Sequence, residues 1–101
     1  MILKNKNEFS QIINENDMVV VDFFATWCGP CKMLTPVIEN VEKVLSNVKF
    51  IKVDIDQFND LASEYRIQSV PTLIFIKNKE IVAKSVGYLD EDALIEKIKS
   101  L

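Results

Sequence analysis

The stretch Met18–Phe24 constrains the fold more than any other part of this sequence. It is rich in β-branched and aromatic residues, and it is apolar on both of its alternating faces, with Asp22 as the interruption. A strand of this kind must be covered on both sides, as the central strands of α/β proteins are. We therefore predict that Met18–Phe24 lies in the middle of a sheet with helices on both faces.

Helical and strand patterns alternate along the rest of the chain. Short helices are predicted after the capping pair Asn5 and Glu8, around residues 58–65, and from Asp90 onward. A long amphipathic helix is predicted after the cysteines, with six apolar side chains facing inward: Leu34, Val37, Ile38, Val41, Val44 and Leu45. Further strands are predicted at Val48–Ile55, Thr72–Ile76 and Ile81–Val86.

The order of these elements predicts the fold class. Only four residues, 77–80, separate the last two strands, so these strands must form an antiparallel hairpin. The pattern indicates an α/β fold with a central mixed β-sheet, a parallel core plus the antiparallel C-terminal hairpin, flanked by helices on both faces. A chain of 101 residues has room for one core, so we expect a single domain over residues 1–101.

Charge and hydropathy exclude several classes of partner. The net charge is −3 and lysines alternate with acids, so the basic stripe that tracks nucleic-acid phosphates is missing. The longest apolar run is too short to cross a bilayer. The N-terminus turns polar after three residues, unlike a secretory signal. The sequence, taken as a full-length product, predicts a cytoplasmic protein that binds neither nucleic acid nor membrane, and a monomer is expected.

The two cysteines stand in the run Trp27-Cys28-Gly29-Pro30-Cys31-Lys32. Such a pair can be a structural bridge, half of a zinc site or a redox pair. A bridge over three residues closes a very small loop and stabilises weakly. Zinc usually takes four Cys or His ligands, whereas this chain has two cysteines and no histidine. Redox chemistry is therefore the favoured interpretation.

The position of the pair predicts different tasks for the two sulfurs. Cys28 lies at the start of a helix, where unpaired N–H groups and the helix dipole favour the nucleophilic thiolate. Cys31, one turn further, is expected to be more buried and to resolve the mixed disulfide. Asp22 is the candidate acceptor of the Cys31 proton, because apolar neighbours raise the pKa of a carboxyl group. The alternative is a carboxylate satisfied by a lysine such as Lys52.

The segment Val21–Lys32 resembles the signature of the thioredoxin family, with Lys52, the run Val70-Pro71-Thr72 and Gly87 in their expected places. The resemblance covers essentially the whole chain. It implies a thioredoxin-like fold and a protein-disulfide reductase that needs no bound cofactor. It further implies that Cys28 attacks and Cys31 resolves, and that Asp22 is a buried carboxylate with Lys52 as its neighbour.

The resemblance also implies a flat apolar surface around Cys28 that binds substrate, formed by Trp27, Gly29, Pro30, Val70, Pro71 and Gly87. Pro71 resembles the family's cis-proline, which would expose the Val70 backbone to an extended substrate segment. The alternatives are an ordinary trans proline, a turn glycine at Gly87, and a Trp27 that covers the edge of the core.

Two departures from the family pattern are visible, and neither touches the cysteines. Phe24 stands where many members have tryptophan, and the hairpin has Asn78-Lys79 where Asn-Gly is common. Lys79 is then expected to adopt a positive φ at a cost of about 1 kcal/mol.

The dipeptide between the cysteines resembles that of reducing members, whereas oxidising or isomerising relatives usually have a histidine before the second cysteine. The implied partners are thioredoxin reductase or an equivalent electron donor, and oxidised protein substrates. Two rival functions are a disulfide oxidase or isomerase, and a non-catalytic module that binds a partner whatever its redox state.

Overall fold

The computed structural model describes all residues 1–101. Its helices are α1 (Lys6–Glu15), α2 (Gly29–Val44), α3 (Asn59–Glu64) and α4 (Glu91–Lys99). Its strands are β1 (Met18–Phe24), β2 (Lys49–Asp54), β3 (Thr72–Lys77) and β4 (Glu80–Val86). None of the helices has the length and apolar character required to cross a membrane.

The four strands form one mixed sheet in the order β2-β1-β3-β4. Strand β1 is parallel to β2 and antiparallel to β3, and β3 and β4 form the antiparallel hairpin. The N-terminal residues extend the parallel part, because Leu3 N–H donates to Lys52 O and Lys52 N–H donates to Met1 O, each at 2.8 Å. The predicted mixed sheet is confirmed, with β1 at its centre.

Successive side chains of β1 enter two different cores. Val19, Val21 and Phe23 pack with α1 and α3, whereas Met18 and Val20 pack with α2 and α4. This arrangement follows from the alternation of side chains along a strand. It confirms the predicted helices on both faces. It also places the next even-numbered residue of β1, Asp22, on the α2 face.

Side-chain caps fix where two helices begin. Asn5 Oδ1 accepts from Glu8 N–H at 2.9 Å, and Glu8 Oε1 accepts from Lys4 N–H at 3.1 Å. Asp90 Oδ1 accepts from Ala93 N–H at 2.8 Å at the start of α4. These bonds satisfy N–H groups that have no partner within the helix. Both predicted helix starts are confirmed.

One side chain of α2 does not face inward as predicted. Leu34, Val37, Ile38 and Val41 are buried, but the side chain of Val44 is 62% exposed. Val44 is the last residue of the helix and lies about 60° around its axis from Val41, at the margin of the apolar face.

The hairpin between β3 and β4 has a two-residue turn, because both strands extend further than predicted. Asn78 and Lys79 occupy the turn with φ of 50° and 72°. Positive φ at both central positions is the geometry of a type I′ turn, which matches the twist of the strands. The positive φ expected at Lys79 is therefore confirmed.

Candidate active site

The cysteine pair lies where the central strand passes into the longest helix. Strand β1 ends at Phe24, and Cys28 is the N-cap of α2 with φ −93° and ψ 115°. Cys28 and Cys31 form a disulfide bond with their Cα atoms 5.3 Å apart. In this oxidised state both residues are buried, Cys28 being 5% exposed and Cys31 2%.

The sulfur of Cys28 accepts a hydrogen bond at the start of α2. The backbone N–H of Cys31 donates to it at 3.1 Å. Gly29 and Pro30 fill the first helical positions, and Pro30 has no N–H to leave unpaired. A sulfur at an N-cap lies at the positive end of the helix dipole. The geometry therefore stabilises negative charge on Cys28 once the disulfide is reduced.

Asp22 is a buried carboxylate on the α2 face of the sheet. The residue is 1% exposed, and neither carboxylate oxygen has a hydrogen-bond partner in the protein. Loss of hydration raises the pKa of Asp22 to about 6, although attraction to Lys52 acts in the opposite direction. Its register partners are Lys52 on β2 and Leu73 on β3.

Lys52 lies beside Asp22 in the sheet but makes its hydrogen bond elsewhere. Its Nζ donates to Thr35 Oγ1 at 2.9 Å and lies 4.6 Å from the centroid of the Phe24 ring. Thr35 Oγ1 in turn donates to the carbonyl oxygen of Cys31 at 3.3 Å. Sequence reasoning considered Lys52 as the partner of Asp22 and missed Thr35. The spacing of four residues between Cys31 and Thr35 was the available signal, because a helical threonine often donates to that carbonyl.

A second loop meets the cysteines from the start of β3. The Val70–Pro71 peptide bond is cis, and the Val70 carbonyl oxygen lies 3.7 Å from Cys28 Sγ. Gly87 N–H donates to Pro71 O at 2.8 Å, which ties the end of β4 to this loop. Gly87 has φ of 96°, so the backbone there requires glycine.

Residues next to Cys28 in the chain and residues of the loop that meets it form one candidate surface. We call this surface the docking face and define it by the side chains and backbone of Trp27, Gly29, Pro30, Val70, Pro71 and Gly87. Trp27 is 68% exposed, which excludes the alternative that it covers the edge of the core. Gly29 and Pro30 are also exposed, whereas Pro71 is buried beneath the surface.

One residue that binds the Trp27 side chain was missed in the sequence. Trp27 Nε1 donates to Asp56 Oδ2 at 3.0 Å. Asp56 lies just beyond the end of β2, 29 residues from Trp27, and its backbone N–H donates to Asp54 Oδ1 at 2.9 Å. A turn aspartate gives no sequence signal for such a contact, since carboxylates are common in turns for local reasons.

A cleft of about 290 Å³ opens beside Cys31. Its walls come from the end of β1, the first turns of α2 and β2, and they are formed by Phe24, Ala25, Thr26, Cys31, Lys32, Thr35 and Lys52. The cleft therefore borders the hydrogen-bonded chain from Lys52 through Thr35 to Cys31.

Fold and site together define a class of protein. A disulfide between residues three apart, at the junction of a central strand and a helix in a mixed sheet, is a centre for dithiol–disulfide exchange. The chain is a protein-disulfide oxidoreductase whose redox pair is Cys28 and Cys31.

The chain belongs to the thioredoxin family, whose model matches residues 1–100. It is 43% identical over 97 residues to a thioredoxin of Mycoplasmoides gallisepticum, covering 96% of this chain and 97% of that one. It is 51% identical over 81 residues to a thioredoxin of Chlamydia trachomatis, covering 80% and 79%. The oxidised structure of mitochondrial thioredoxin 3 from Saccharomyces cerevisiae superimposes with a TM-score of 0.90 at 38% identity, over 100% of this chain and 94% of that one.

Proposed function

We propose that this protein is a general protein-disulfide reductase in which Cys28 is the nucleophile and Cys31 the resolving cysteine. The Cys28 thiolate attacks one sulfur of a substrate disulfide, and the other substrate sulfur leaves as a thiolate. Cys31 then loses its proton and attacks Cys28 Sγ, which releases the second substrate thiolate and forms the Cys28–Cys31 disulfide. Two electrons pass to the substrate, and the protein is oxidised.

The observation that carries this assignment is the hydrogen bond from Cys31 N–H to Cys28 Sγ at 3.1 Å. It makes Cys28 the N-cap acceptor of α2, and the thiolate is the nucleophile in disulfide exchange. Cys31 lies one turn into the helix and lacks that position. Val70 O lies 3.7 Å from Cys28 Sγ, which supports the same assignment because a substrate segment paired with the Val70 backbone would lie beside this sulfur.

Asp22 takes the proton that Cys31 loses. Its carboxylate is on the α2 face, buried and without a hydrogen-bond partner. Burial raises its pKa to about 6, close to the pH at which a cytoplasmic base must work. Lys52 lies beside this carboxylate on the neighbouring strand and forms no ion pair with it.

Substrate proteins bind at the docking face. The exposed Trp27 ring supplies a large apolar contact, and Gly29 and Pro30 are exposed beside Cys28. An extended substrate segment pairs with the Val70 backbone next to the cis-proline Pro71, as in strand addition. Gly87, where an added Cβ would meet no atom within 4 Å, is hydrogen-bonded to Pro71 and allows close approach of the substrate backbone.

The dipeptide Gly29-Pro30, which resembles that of reducing members of the family, supports the reducing direction of the reaction. We propose that residues 1–101 work as a single monomeric domain in the cytoplasm, without a bound cofactor. Thioredoxin reductase or an equivalent donor would restore the dithiol, and oxidised cytoplasmic enzymes would receive the electrons. A reduction potential near that of a strong oxidant, about −120 mV, would contradict the reducing direction.

Matched serine variants test the roles of the two sulfurs. Cys31→Ser should hold substrate proteins as stable mixed disulfides on Cys28, because the resolving sulfur is absent. Cys28→Ser should neither trap substrates nor reduce insulin. Insulin reduction by the Cys28→Ser protein would contradict the assignment, and so would mixed disulfides formed through Cys31. Identification of the trapped proteins would also name the substrates.

A further inference from the structure

The ammonium of Lys52 does not bind the Asp22 carboxylate, although the two residues are neighbours in the sheet. Lys52 is the register partner of Asp22 on the adjacent parallel strand, so the two side chains start side by side on one face. The Lys52 ammonium nevertheless forms no ion pair, the ion pair of the structure being Lys6–Asp60. It donates instead to Thr35 Oγ1.

The Thr35 hydroxyl connects this ammonium to the helix of the resolving cysteine. A hydroxyl has one proton to donate and two lone pairs that accept. Thr35 uses the proton for the Cys31 carbonyl oxygen, at 3.3 Å, and accepts from Lys52 Nζ at 2.9 Å. The first bond fixes the hydroxyl on α2, and the second fixes the ammonium at the cleft.

Few other charges approach Asp22 from the elements packed around it. Val20 and Phe24 are its neighbours on the same face of β1, and Leu73 is its partner on β3. Helix α4 contributes the apolar Leu94 to this core. These surroundings are apolar, so they cannot stabilise a charged carboxylate.

The charged and titratable groups come from β2 and α2. On β2, Asp54 already accepts a hydrogen bond from Asp56 N–H. On α2, Lys32 is exposed, and Cys31 is titratable once the disulfide is reduced. Lys52 is therefore the charge whose position has the strongest effect on Asp22.

We propose that Thr35 is a positioning residue for disulfide exchange: its hydroxyl holds the Lys52 ammonium off the Asp22 carboxylate, which leaves that carboxylate free to take the Cys31 proton. The inference rests on the proposed role of Asp22. Without the hydroxyl, Lys52 turns to the unpartnered acceptor beside it, Asp22. An opposite charge within about 4–6 Å favours the charged form of a carboxyl group and so weakens it as a proton acceptor.

Two substitutions at one position test the role of the hydroxyl. Thr35→Val keeps the shape and removes the hydroxyl, whereas Thr35→Ser keeps the hydroxyl. The Asp22 carboxyl carbon is titrated by NMR in the oxidised protein, with Asp22→Asn to assign the signal. We expect T35V to lower the midpoint pH of the Asp22 titration by about 1 pH unit. In T35S, Asp22 should titrate as it does in the unsubstituted protein. An unchanged or higher midpoint in T35V overturns the proposal.

A Lys52→Met background tests whether the effect acts through the ammonium. In K52M the substitution T35V should no longer lower the Asp22 midpoint, because no cation remains to approach the carboxylate. A persistent downward movement in K52M overturns the proposal, since Thr35 would then act on Asp22 by another route.

Kinetics separates this inference from the proposed function on which it rests. The pH dependence of mixed-disulfide release is measured for T35V, T35S and the unsubstituted protein. We expect the T35V profile to move to lower pH by as much as the Asp22 midpoint, with T35S unchanged. If the midpoint moves and the rate profile does not, Thr35 positions Lys52 as stated, and it is the role of Asp22 as proton acceptor that fails.

Discussion

The backbone N–H of Cys31 donates a hydrogen bond to the sulfur of Cys28 at 3.1 Å, so Cys31 helps to fix the position of the Cys28 sulfur. The two cysteines are three residues apart and joined by a disulfide bond, yet their positions are not equivalent. Cys28 is the N-cap of α2, whereas Cys31 is the third residue of that helix and is buried. The proposed roles of Cys28 as nucleophile and Cys31 as resolving cysteine rest on this difference.

Asp22→Asn should slow the release of substrate far more than its capture. Capture depends on the Cys28 thiolate, which Asp22 does not touch, whereas release requires Cys31 to lose a proton. General acid–base catalysis typically contributes 10²–10⁴-fold, so we expect release to slow by about 10²-fold at neutral pH. Rapid-mixing kinetics with a fluorescent disulfide substrate would separate the two steps. Equal slowing of both steps would show that the substitution acts on the site as a whole.

The same substitution should change how stability depends on pH. Burial raises the pKa of Asp22 from 3.8 to about 6, so the folded protein binds a proton more tightly than the unfolded chain. The free energy of unfolding therefore falls as pH rises through this range. At pH 7 it is lower by about 3 kcal/mol than at a pH below both values. Denaturant unfolding of the oxidised protein at pH 3 and pH 7 checks this.

An asparagine side chain carries no charge, so Asp22→Asn should lose this pH dependence. The free energy of unfolding of the variant minus that of the unsubstituted protein should therefore rise by about 3 kcal/mol from pH 3 to pH 7. A constant difference between the two proteins at both pH values would contradict the raised pKa.

Trp27→Ala should weaken substrate binding without changing the redox pair. The Trp27 ring is 68% exposed, and its indole N–H is held by Asp56 at 3.0 Å, so it is oriented before substrate arrives. Aromatic anchors of this kind commonly contribute more than 1 kcal/mol, so we expect KM for insulin to rise about 10-fold.

Two controls belong to this measurement. Reduction of a small aromatic disulfide should be nearly unaffected in the Trp27→Ala protein, because such a substrate needs little of the docking face. Ile81→Ala removes a similarly exposed apolar side chain, 59% exposed, near the hairpin turn at the other end of β4. If Ile81→Ala raised KM as much as Trp27→Ala, the docking face would be wrongly placed.

Lys79→Gly should stabilise the protein. Lys79 has φ of 72° in the hairpin turn, a region in which an L-residue with a side chain costs about 1–2 kcal/mol and glycine does not. Part of this gain is offset by the greater conformational freedom of glycine in the unfolded chain. We therefore expect the free energy of unfolding, measured with denaturant, to rise by about 0.5–1 kcal/mol. Lys84→Gly, in the middle of β4, is the control and should destabilise. Destabilisation by Lys79→Gly would show that the turn is not strained.

Local patterns predicted much of this fold. The apolar run Met18–Phe24 matches β1 residue for residue. A strand that is buried on both faces is apolar at both of its ends, so the sequence marks where it begins and ends. The caps Asn5 and Asp90 marked two helix starts through bonds that reach only three residues. Periodicity was less reliable at the margin of a helix face, where Val44 is exposed.

Contacts between distant side chains could not be predicted in the same way. The sequence indicated that Asp22 is buried and that Lys52 is near it, and the sheet register agrees. It did not show that the Lys52 ammonium donates to Thr35, because the choice between two nearby acceptors depends on side-chain torsions. The bond between Trp27 and Asp56 likewise depends on the turn after β2 meeting the loop before α2.

The most direct test of the account is the ionisation of each thiol in the reduced protein. Alkylation by iodoacetamide is followed at each sulfur by mass spectrometry across a range of pH. The N-cap position predicts that Cys28 reacts first, and that its alkylation rate is half-maximal at a pH clearly below the ordinary cysteine pKa of about 8.5. Cys31 should react slowly and only at higher pH. Ionisation of Cys31 at lower pH than Cys28, with Cys28 inert to the reagent, would contradict the assignment of the nucleophile.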